Sequence, residues 1–237
     1  MRLLAIFLVI GLAPSLWGAT VAGEVHLVGS KIPAVNKKHD FSGVVVWLMP
    51  VARTSPLLLV RKHATMVQKD KRFTPHILAI ESGTTVDFPN FDPIFHNAFS
   101  NFNGQIFDIG LYPPGTSRSI RFTEPGIVKI FCNIHPSMSA TIVVVGSPYF
   151  TVTDHHGRYS FANVAPGTYR IHFFHERATT ETLKKLTRTV IVRADKRKVA
   201  STTISEAGYL AIAHKNKYGR DYPDNGDSTD GYSALLQ

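Results

Sequence analysis

Short stretches in which apolar and polar residues alternate run through most of the chain. Leu78 and Ile80 follow the period of two that is typical of a half-buried strand. The run 44–49 is apolar at every position, which predicts a central strand that is covered on both faces. The one helical candidate, 181–186, lies among threonines that favour a loop. Because Gly and Pro turns separate the strands, the pattern predicts an all-β fold of short strands in a sandwich or barrel.

The first 22 residues differ from the rest. An apolar run follows Arg2, Pro14 interrupts it, and small residues precede Gly23, a combination typical of a secretory signal peptide. An uncleaved anchor is the alternative, although the apolar core is shorter than the about 20 residues that a spanning helix needs. We therefore expect 1–22 to be a signal peptide, no membrane span to remain after its removal, and the protein to be periplasmic or otherwise secreted.

Charge limits the kinds of partner. The 26 Lys and Arg residues exceed the 17 Asp and Glu residues and give a formal net charge of +9, which favours partners with acidic surfaces. The basic residues of 184–198 have no aromatic stacking pattern among them, so no nucleic-acid partner is expected. The last segment, 207–237, is a polar tail whose composition predicts partial disorder, from about Asp221 onward. For HKNKYGRDY, 214–222, a loose end is favoured, and a docking role is the alternative.

The single cysteine, Cys132, excludes an intrachain disulfide. In an exported protein a free thiol is a liability unless it is buried or ligated. The strand pattern places Cys132 on the buried face at a strand end, and His135 and Met138 follow on one loop. Thiolate, imidazole and thioether together favour copper. Another strong ligand has to come from elsewhere, and His96, after the proline-containing turn in FPNFDPIFHNAFS, is the best candidate.

The spacing Cys-x-x-His-x-x-Met after a strand, with His96 and Asn97 upstream, resembles the cupredoxins, the type 1 blue-copper proteins, and the short ligand loop is most similar to that of amicyanin. The resemblance implies one type 1 copper ion with His96, Cys132 and His135 as trigonal ligands. It implies that Met138 is the weak axial ligand. In the family, the residue at the position of Asn97 ties the two ligand segments together by hydrogen bonds.

The resemblance covers roughly 66–146 and implies a Greek-key β-sandwich. We therefore expect a plastocyanin-like copper domain over 23–146. The placement of 23–65 within it stays open, because the opening GEV…VVVWL also resembles the start of a transthyretin-like module.

The segment 147–206 has a different pattern. An Asp-x-x-Gly turn at 154–157, an aromatic-x-aromatic strand and a Pro-Gly pair before Tyr169 resemble the carboxypeptidase-regulatory, or transthyretin-like, β-sandwich. Such modules generally lack catalytic residues. This half is therefore expected to be a second small, Ig-like sandwich that serves as scaffold.

Together these features predict an exported copper protein that carries electrons between redox partner proteins and is not an enzyme. A copper-binding, structural or adhesion module of the cell envelope without electron transfer is the alternative. A cysteine hydrolase is disfavoured because Cys132 and His135, on one tight loop, converge on a metal more readily than on a substrate. Copper oxidases and nitrite reductases commonly have a histidine directly beside the cysteine, which couples the blue site to a second, catalytic copper. The neighbours of Cys132 are Phe131 and Asn133, so this class of enzyme is disfavoured as well.

Overall fold

The computed structural model describes residues 18–52, 62–101, 104–193, 197–210 and 213–222. Within these ranges the protein is all-β, as predicted, with eighteen strands and two short helices. The first nine strands are β1 (Ala19–Val28), β2 (Val45–Pro50), β3 (His63–Thr65), β4 (Val67–Lys69), β5 (Arg72–Thr74), β6 (Ile77–Glu81), β7 (Thr84–Pro89), β8 (Phe99–Ser100) and β9 (Phe107–Asp108). The others are β10 (Ser117–Phe122), β11 (Gly126–Phe131), β12 (Ser139–Val145), β13 (Phe150–Val152), β14 (Arg158–Val164), β15 (Gly167–Phe174), β16 (Arg188–Val192), β17 (Arg197–Lys198) and β18 (Thr202–Ser205). The helices are α1 (Pro33–Lys38) and α2 (Thr180–Leu186).

Strands β3 to β12 form the first sandwich. One sheet has the order β6-β12-β11-β8-β9 and another the order β10-β7-β3, while β4 pairs with β5. On β11, Val128 and Ile130 face the core between the sheets, and Cys132, one residue beyond the strand, belongs to the same core. Lys129 lies on the other face, where its amine stands 5.8 Å from the ring centre of Phe174. The predicted burial of the thiol at a strand end is what the structure shows.

The second sandwich is built from both ends of the chain. Strand β1 lies between β14 and β17 and also pairs with β18, while the other sheet has the order β13-β2-β15-β16. Its core combines Val25 and Leu48 from the N-terminal strands with Phe161, Ile171 and Ile204. The N-terminal strands are therefore central members of both sheets.

This pairing corrects the predicted copper domain 23–146. Strands β1 and β2 hydrogen-bond to the second sandwich because their apolar faces complete its core. Strand β3 instead pairs with β7 of the first sandwich. Of the segment 23–65, whose placement was left open, β1 and β2 thus belong to the second sandwich and β3 belongs to the first.

The predicted signal peptide, 1–22, needs a correction at its end. Ala19 to Ala22 are the first residues of β1, and Ala19 and Val21 are buried in the core of the second sandwich. Removal of the chain up to residue 22 would delete part of this strand, so a boundary at that point does not fit the fold. Residues 1–17 lie outside the described residues. In the described part of the chain, no helix has both the length and the apolar character for crossing a membrane.

A third apolar cluster joins the two sandwiches. Val143 and Val145 of β12 pack with Val45 of β2 and Phe174 of β15. The alternate residues of β2 face the second core, so β2 is covered on both faces. The uniformly apolar run 44–49 is explained by this double burial.

Candidate metal centre

Three of the predicted ligands meet at one end of the first sandwich. The sulfur of Cys132 lies 3.7 Å from Nδ1 of His96 and 3.7 Å from Nδ1 of His135. The three donor atoms are all within 4.8 Å of one another, and the two imidazole ring centres are 4.7 Å apart. Within the described residues this is the only cluster of three such donors that could hold a metal ion.

Strand ends and loop hydrogen bonds position these side chains. Strand β11 ends one residue before Cys132, and the loop then closes on itself. The Cys132 N–H donates to the Met138 carbonyl (3.1 Å), and the Met138 N–H donates to the His135 carbonyl (3.1 Å). On the other segment, His96 forms a bridge with Tyr112, whose N–H donates to the His96 carbonyl (2.9 Å). Both ligand segments are thus held by backbone bonds.

The ring of His96 is fully buried and its second nitrogen is also bound. Nε2 lies 2.7 Å from Oδ2 of Asp92, a buried carboxylate that also accepts the backbone N–H groups of Asp70 (2.6 Å) and Lys71 (2.9 Å). Burial favours the protonated acid, but the hydrogen bonds from Lys71, His96 and Asp70 hold the pKa of Asp92 below its ordinary value. A carboxylate that accepts the Nε2 proton leaves the Nδ1 lone pair facing the sulfur, which is the tautomer that a metal ligand needs.

Asn97 joins the two ligand segments. Its side-chain oxygen accepts the Asn133 N–H (2.6 Å), and its amide nitrogen lies 3.4 Å from Oδ1 of Asp108. The residue after His96 is therefore bound to the residue after Cys132, in the arrangement that the cupredoxin resemblance implies.

The environment of the sulfur suits a ligand better than a free nucleophile. Burial raises the pKa of the Cys132 thiol, while hydrogen bonds from the backbone N–H groups of Asn97, Ile134 and His135, among others, act in the opposite direction. A buried thiol of raised pKa is mostly protonated at neutral pH and unreactive. Metal binding would release that proton because the ligand form is the thiolate.

The donor set fits a soft or borderline metal ion. If bond lengths resemble those in zinc sites, about 2.0 Å to nitrogen and about 2.3 Å to sulfur, a trigonal centre separates these atoms by about 3.7 Å. The observed sulfur–nitrogen distances have this value. Two imidazoles and one thiolate with a weak thioether are typical of blue-copper centres. Met138 is fully buried in the same core cluster as Cys132, and its axial role stays a prediction.

Sequence reasoning missed one part of this centre and preferred the wrong alternative for another. Asp92 stands four residues before His96, and that spacing was the available signal. The segment 214–222, for which a loose end was preferred to docking, docks on the ligand loop: His214 Nε2 lies 2.7 Å from the Pro136 carbonyl oxygen. Over 214–222 the structure thus has the docked alternative and not the preferred loose end, and 223–237 lies outside the described residues.

Comparison with known families reaches the second sandwich only. The sequence model of the BOS complex subunit NOMO1-like family, second beta sandwich domain, matches residues 148–206. These residues coincide with the predicted scaffold module and do not include the candidate metal centre. No curated protein sequence is significantly similar to the chain.

Several solved copper proteins are similar to part of the chain. A purple cupredoxin from Nitrosopumilus maritimus is 26% identical over 35% of this chain and 99% of its own, with a TM-score of 0.32. A copper-containing nitrite reductase from Thermus scotoductus SA-01 is 29% identical over 41% of this chain and 25% of its own, with a TM-score of 0.33. A reduced amicyanin variant is 19% identical over 41% of this chain and 98% of its own, with a TM-score of 0.33. Because these scores are low, we draw nothing about the metal centre from them.

Proposed function

We propose that this protein is an exported copper protein whose first sandwich carries single electrons between redox partner proteins at one type 1 copper centre. The observation that supports this function is the convergence of the Cys132 sulfur with Nδ1 of His96 and Nδ1 of His135 at 3.7 Å. A copper ion bound by these atoms would supply one-electron redox chemistry, and Met138 would be its weak axial ligand.

The chain itself contributes a ligand set that is arranged before the metal binds. The Asp92 carboxylate fixes the tautomer and orientation of His96. Backbone N–H groups surround the Cys132 sulfur, and the loop bonds to Met138 hold its carbonyl and amide. Because these contacts fix the ligands independently of the metal, the ligands have little freedom to move when the charge of the centre changes.

The loops that carry the ligands also expose apolar side chains. Phe95 precedes His96, Ile134 precedes His135, and both are exposed. Phe91 and Leu111, on the adjoining loops, are more than half exposed as well. Exposed apolar groups that cluster on one face are typical of interaction sites. A redox partner would dock on this end of the sandwich, and the net charge of +9 favours one with an acidic surface.

A copper-binding structural module of the cell envelope is the second candidate. It is favoured by the second sandwich, which is similar to a β-sandwich domain of a complex subunit and contains no group of three metal donors among the described residues. A fast electron self-exchange rate of the copper-loaded protein would support the carrier, whereas exchange too slow to detect would favour the structural module.

Absorption spectroscopy of the copper-loaded protein tests the centre itself. We expect the intense visible band of a Cu(II)–thiolate bond, and we expect Cys132→Ser to abolish it because no other cysteine exists in the chain. The circular dichroism of the variant should stay that of an all-β protein. Ser137→Ala, an exposed substitution in the same loop, is the matched control and should stay blue. A Cys132→Ser variant that keeps the band would overturn the assignment.

A further inference from the structure

The C-terminal residues 213–222, here called the strap, have a defined conformation of their own. The side-chain oxygen of Asn216 accepts the N–H groups of Tyr218 (2.9 Å) and Arg220 (3.1 Å), and the Arg220 carbonyl accepts the Asn216 N–H (2.9 Å). Gly219 has a φ of 74°, which glycine adopts without strain. An Asn side chain that caps its own turn, followed by Gly, is a local folding signal. The strap is therefore a structured element that can pack against neighbouring residues.

Two aromatic side chains of the strap contact the ligand loop. The ring of His214 stacks on Phe131 with ring centres 4.1 Å apart, and its Nε2 lies 2.7 Å from the Pro136 carbonyl oxygen. The hydroxyl of Tyr222 donates to the carbonyl oxygen of Cys132 at 2.7 Å. One contact thus holds the backbone at the thiol ligand, and the other holds the residue directly after His135.

A closed ring of four hydrogen bonds adds a third contact. Asn97 accepts from the Asn133 backbone (2.6 Å), and the Asn133 side-chain oxygen accepts from the Lys217 backbone (3.0 Å). The Lys217 amine reaches Oδ2 of Asp108 (2.7 Å), and Oδ1 of Asp108 lies 3.4 Å from the Asn97 amide. Both ligand-bearing segments are members of this ring. Lys217 is the member that belongs to the strap, so loss of its bonds opens the ring.

We propose that the strap is a positioning element of the metal centre, in which Tyr222, His214 and Lys217 hold the ligand loop in its metal-binding conformation and slow metal release. His96 and Cys132 are fully buried and His135 is half-buried, so an ion would leave through movement of the loop around His135. The strap contacts the loop on both sides of His135 in sequence. The part of this inference that concerns metal release rests on the proposed copper function, whereas the ordering of the loop does not.

The test compares a double variant of the full chain with a control variant. Tyr222→Phe with Lys217→Met removes the hydroxyl bond to Cys132 and the ion pair with Asp108. Lys215→Met, the control, removes an amine from the same strap, where Lys215 pairs with an exposed Asp221. Tyr218 stays unchanged in both variants because its ring lies 5.1 Å from the Lys217 amine. The first readout is hydrogen exchange of the Cys132 and Met138 amides in the metal-free protein. The second is the rate at which the copper-loaded protein transfers Cu(I) to a chelator.

We expect both rates to rise about 30-fold in the Tyr222/Lys217 variant, since each of the two lost bonds contributes about 1 kcal/mol and about 1.4 kcal/mol corresponds to a factor of ten. The Lys215→Met variant should match the unchanged protein. Loop exchange that is unchanged in the first variant, or equally raised in both, would overturn the proposal. If the amides of the second sandwich also lose protection from hydrogen exchange in the first variant, the single variant Tyr222→Phe tests the proposal with the same two rates.

The two proposals fail in different ways. Faster loop exchange in a protein that shows no Cu(II)–thiolate band would leave the strap as a positioning element and remove the copper function. A blue protein in which the hydrogen-exchange rates of the loop stay the same after the Tyr222 and Lys217 substitutions would keep the copper function and exclude the role of the strap.

Discussion

Each sandwich buries a histidine–carboxylate pair, but only one of the pairs belongs to a candidate site. In the first sandwich His96 Nε2 lies 2.7 Å from Asp92, and in the second His175 Nε2 lies 2.8 Å from Glu206. The other nitrogen of His96 faces the Cys132 sulfur. The other nitrogen of His175 has no hydrogen-bond partner among the described residues.

The two carboxylates also differ in what else they bind. Asp92 accepts two backbone N–H groups of one turn and so orients a single ring. Glu206 accepts the Ser30 hydroxyl (2.6 Å) and the Arg177 guanidinium (3.1 Å), and thereby joins three segments of the second sandwich. A buried histidine–carboxylate pair therefore indicates a metal centre only where further donors face the second nitrogen. Elsewhere it is part of the framework.

The largest effect is expected from removal of the N-terminal strands. A chain that begins at residue 62 lacks β1 and β2, the central strands of both sheets of the second sandwich. We expect this sandwich to unfold while the first keeps its core, because that core contains residues from 66 to 144 only. Two-dimensional NMR would show dispersed signals for the first sandwich and collapsed signals for 148–206. Native-like signals for β14 and β15 in the shortened chain would refute the assignment of β1 and β2.

A smaller effect concerns the pH dependence of stability. Burial disfavours ionised Glu206, but the hydrogen bonds from His175, Ser30 and Arg177 lower its pKa to about 2. Because the folded pKa lies below the ordinary value of 4.5, the stabilisation is complete above pH 4.5 and is lost as the pH falls towards 2. The free energy of unfolding should decrease by up to about 3 kcal/mol over this range.

Urea unfolding at pH 5 and at pH 2.5 measures this loss. Glu206→Gln should be less stable at pH 5 and should lose part of the acid dependence. Burial would raise the pKa of Glu176, but His76 is the chief group that lowers it to about 2. Glu176→Gln should therefore remove a separate part of the acid dependence of the free energy of unfolding. An acid dependence that is the same with and without the Glu206 carboxylate would contradict the assignment.

Local patterns predicted the strands and most of the centre. The alternation around Ile130 placed Cys132 inside, and the donor chemistry selected His96 and His135, because both signals depend on a few neighbouring residues. The sheet that β1 joins stayed open although the opening segment resembles the start of a transthyretin-like module, since its partners lie far along the chain: Val21 pairs with Arg197. The threonines near 180 were interpreted as a loop, yet Thr179 caps α2 by accepting the Thr182 N–H (3.1 Å), a role that the same composition permits.

The strap shows most clearly that composition alone does not predict whether a polar segment is ordered. Its residues are polar and turn-rich, which is typical of disorder because little apolar surface can be buried. Docking depends instead on a few directed bonds, such as that from Tyr222 to Cys132. Sequence alone does not show that the partner groups of such bonds lie opposite one another.

The smallest effect separates the two buried pairs directly. Three donors meet the two oxygens of Asp92, and an amide side chain offers only one acceptor oxygen. We expect Asp92→Asn to leave one donor facing an NH₂ group, to loosen His96, and to weaken copper binding about 10- to 100-fold. Glu206→Gln should lower the urea midpoint but leave copper affinity unchanged, because His175 faces no other ligand. Asp87→Asn, whose carboxylate binds Ser119 and His63 at the surface, is the matched control for the first substitution. Competition with a Cu(I) chelator measures all three affinities, and an equal loss in Asp92→Asn and Glu206→Gln would show that the two pairs do not differ in function.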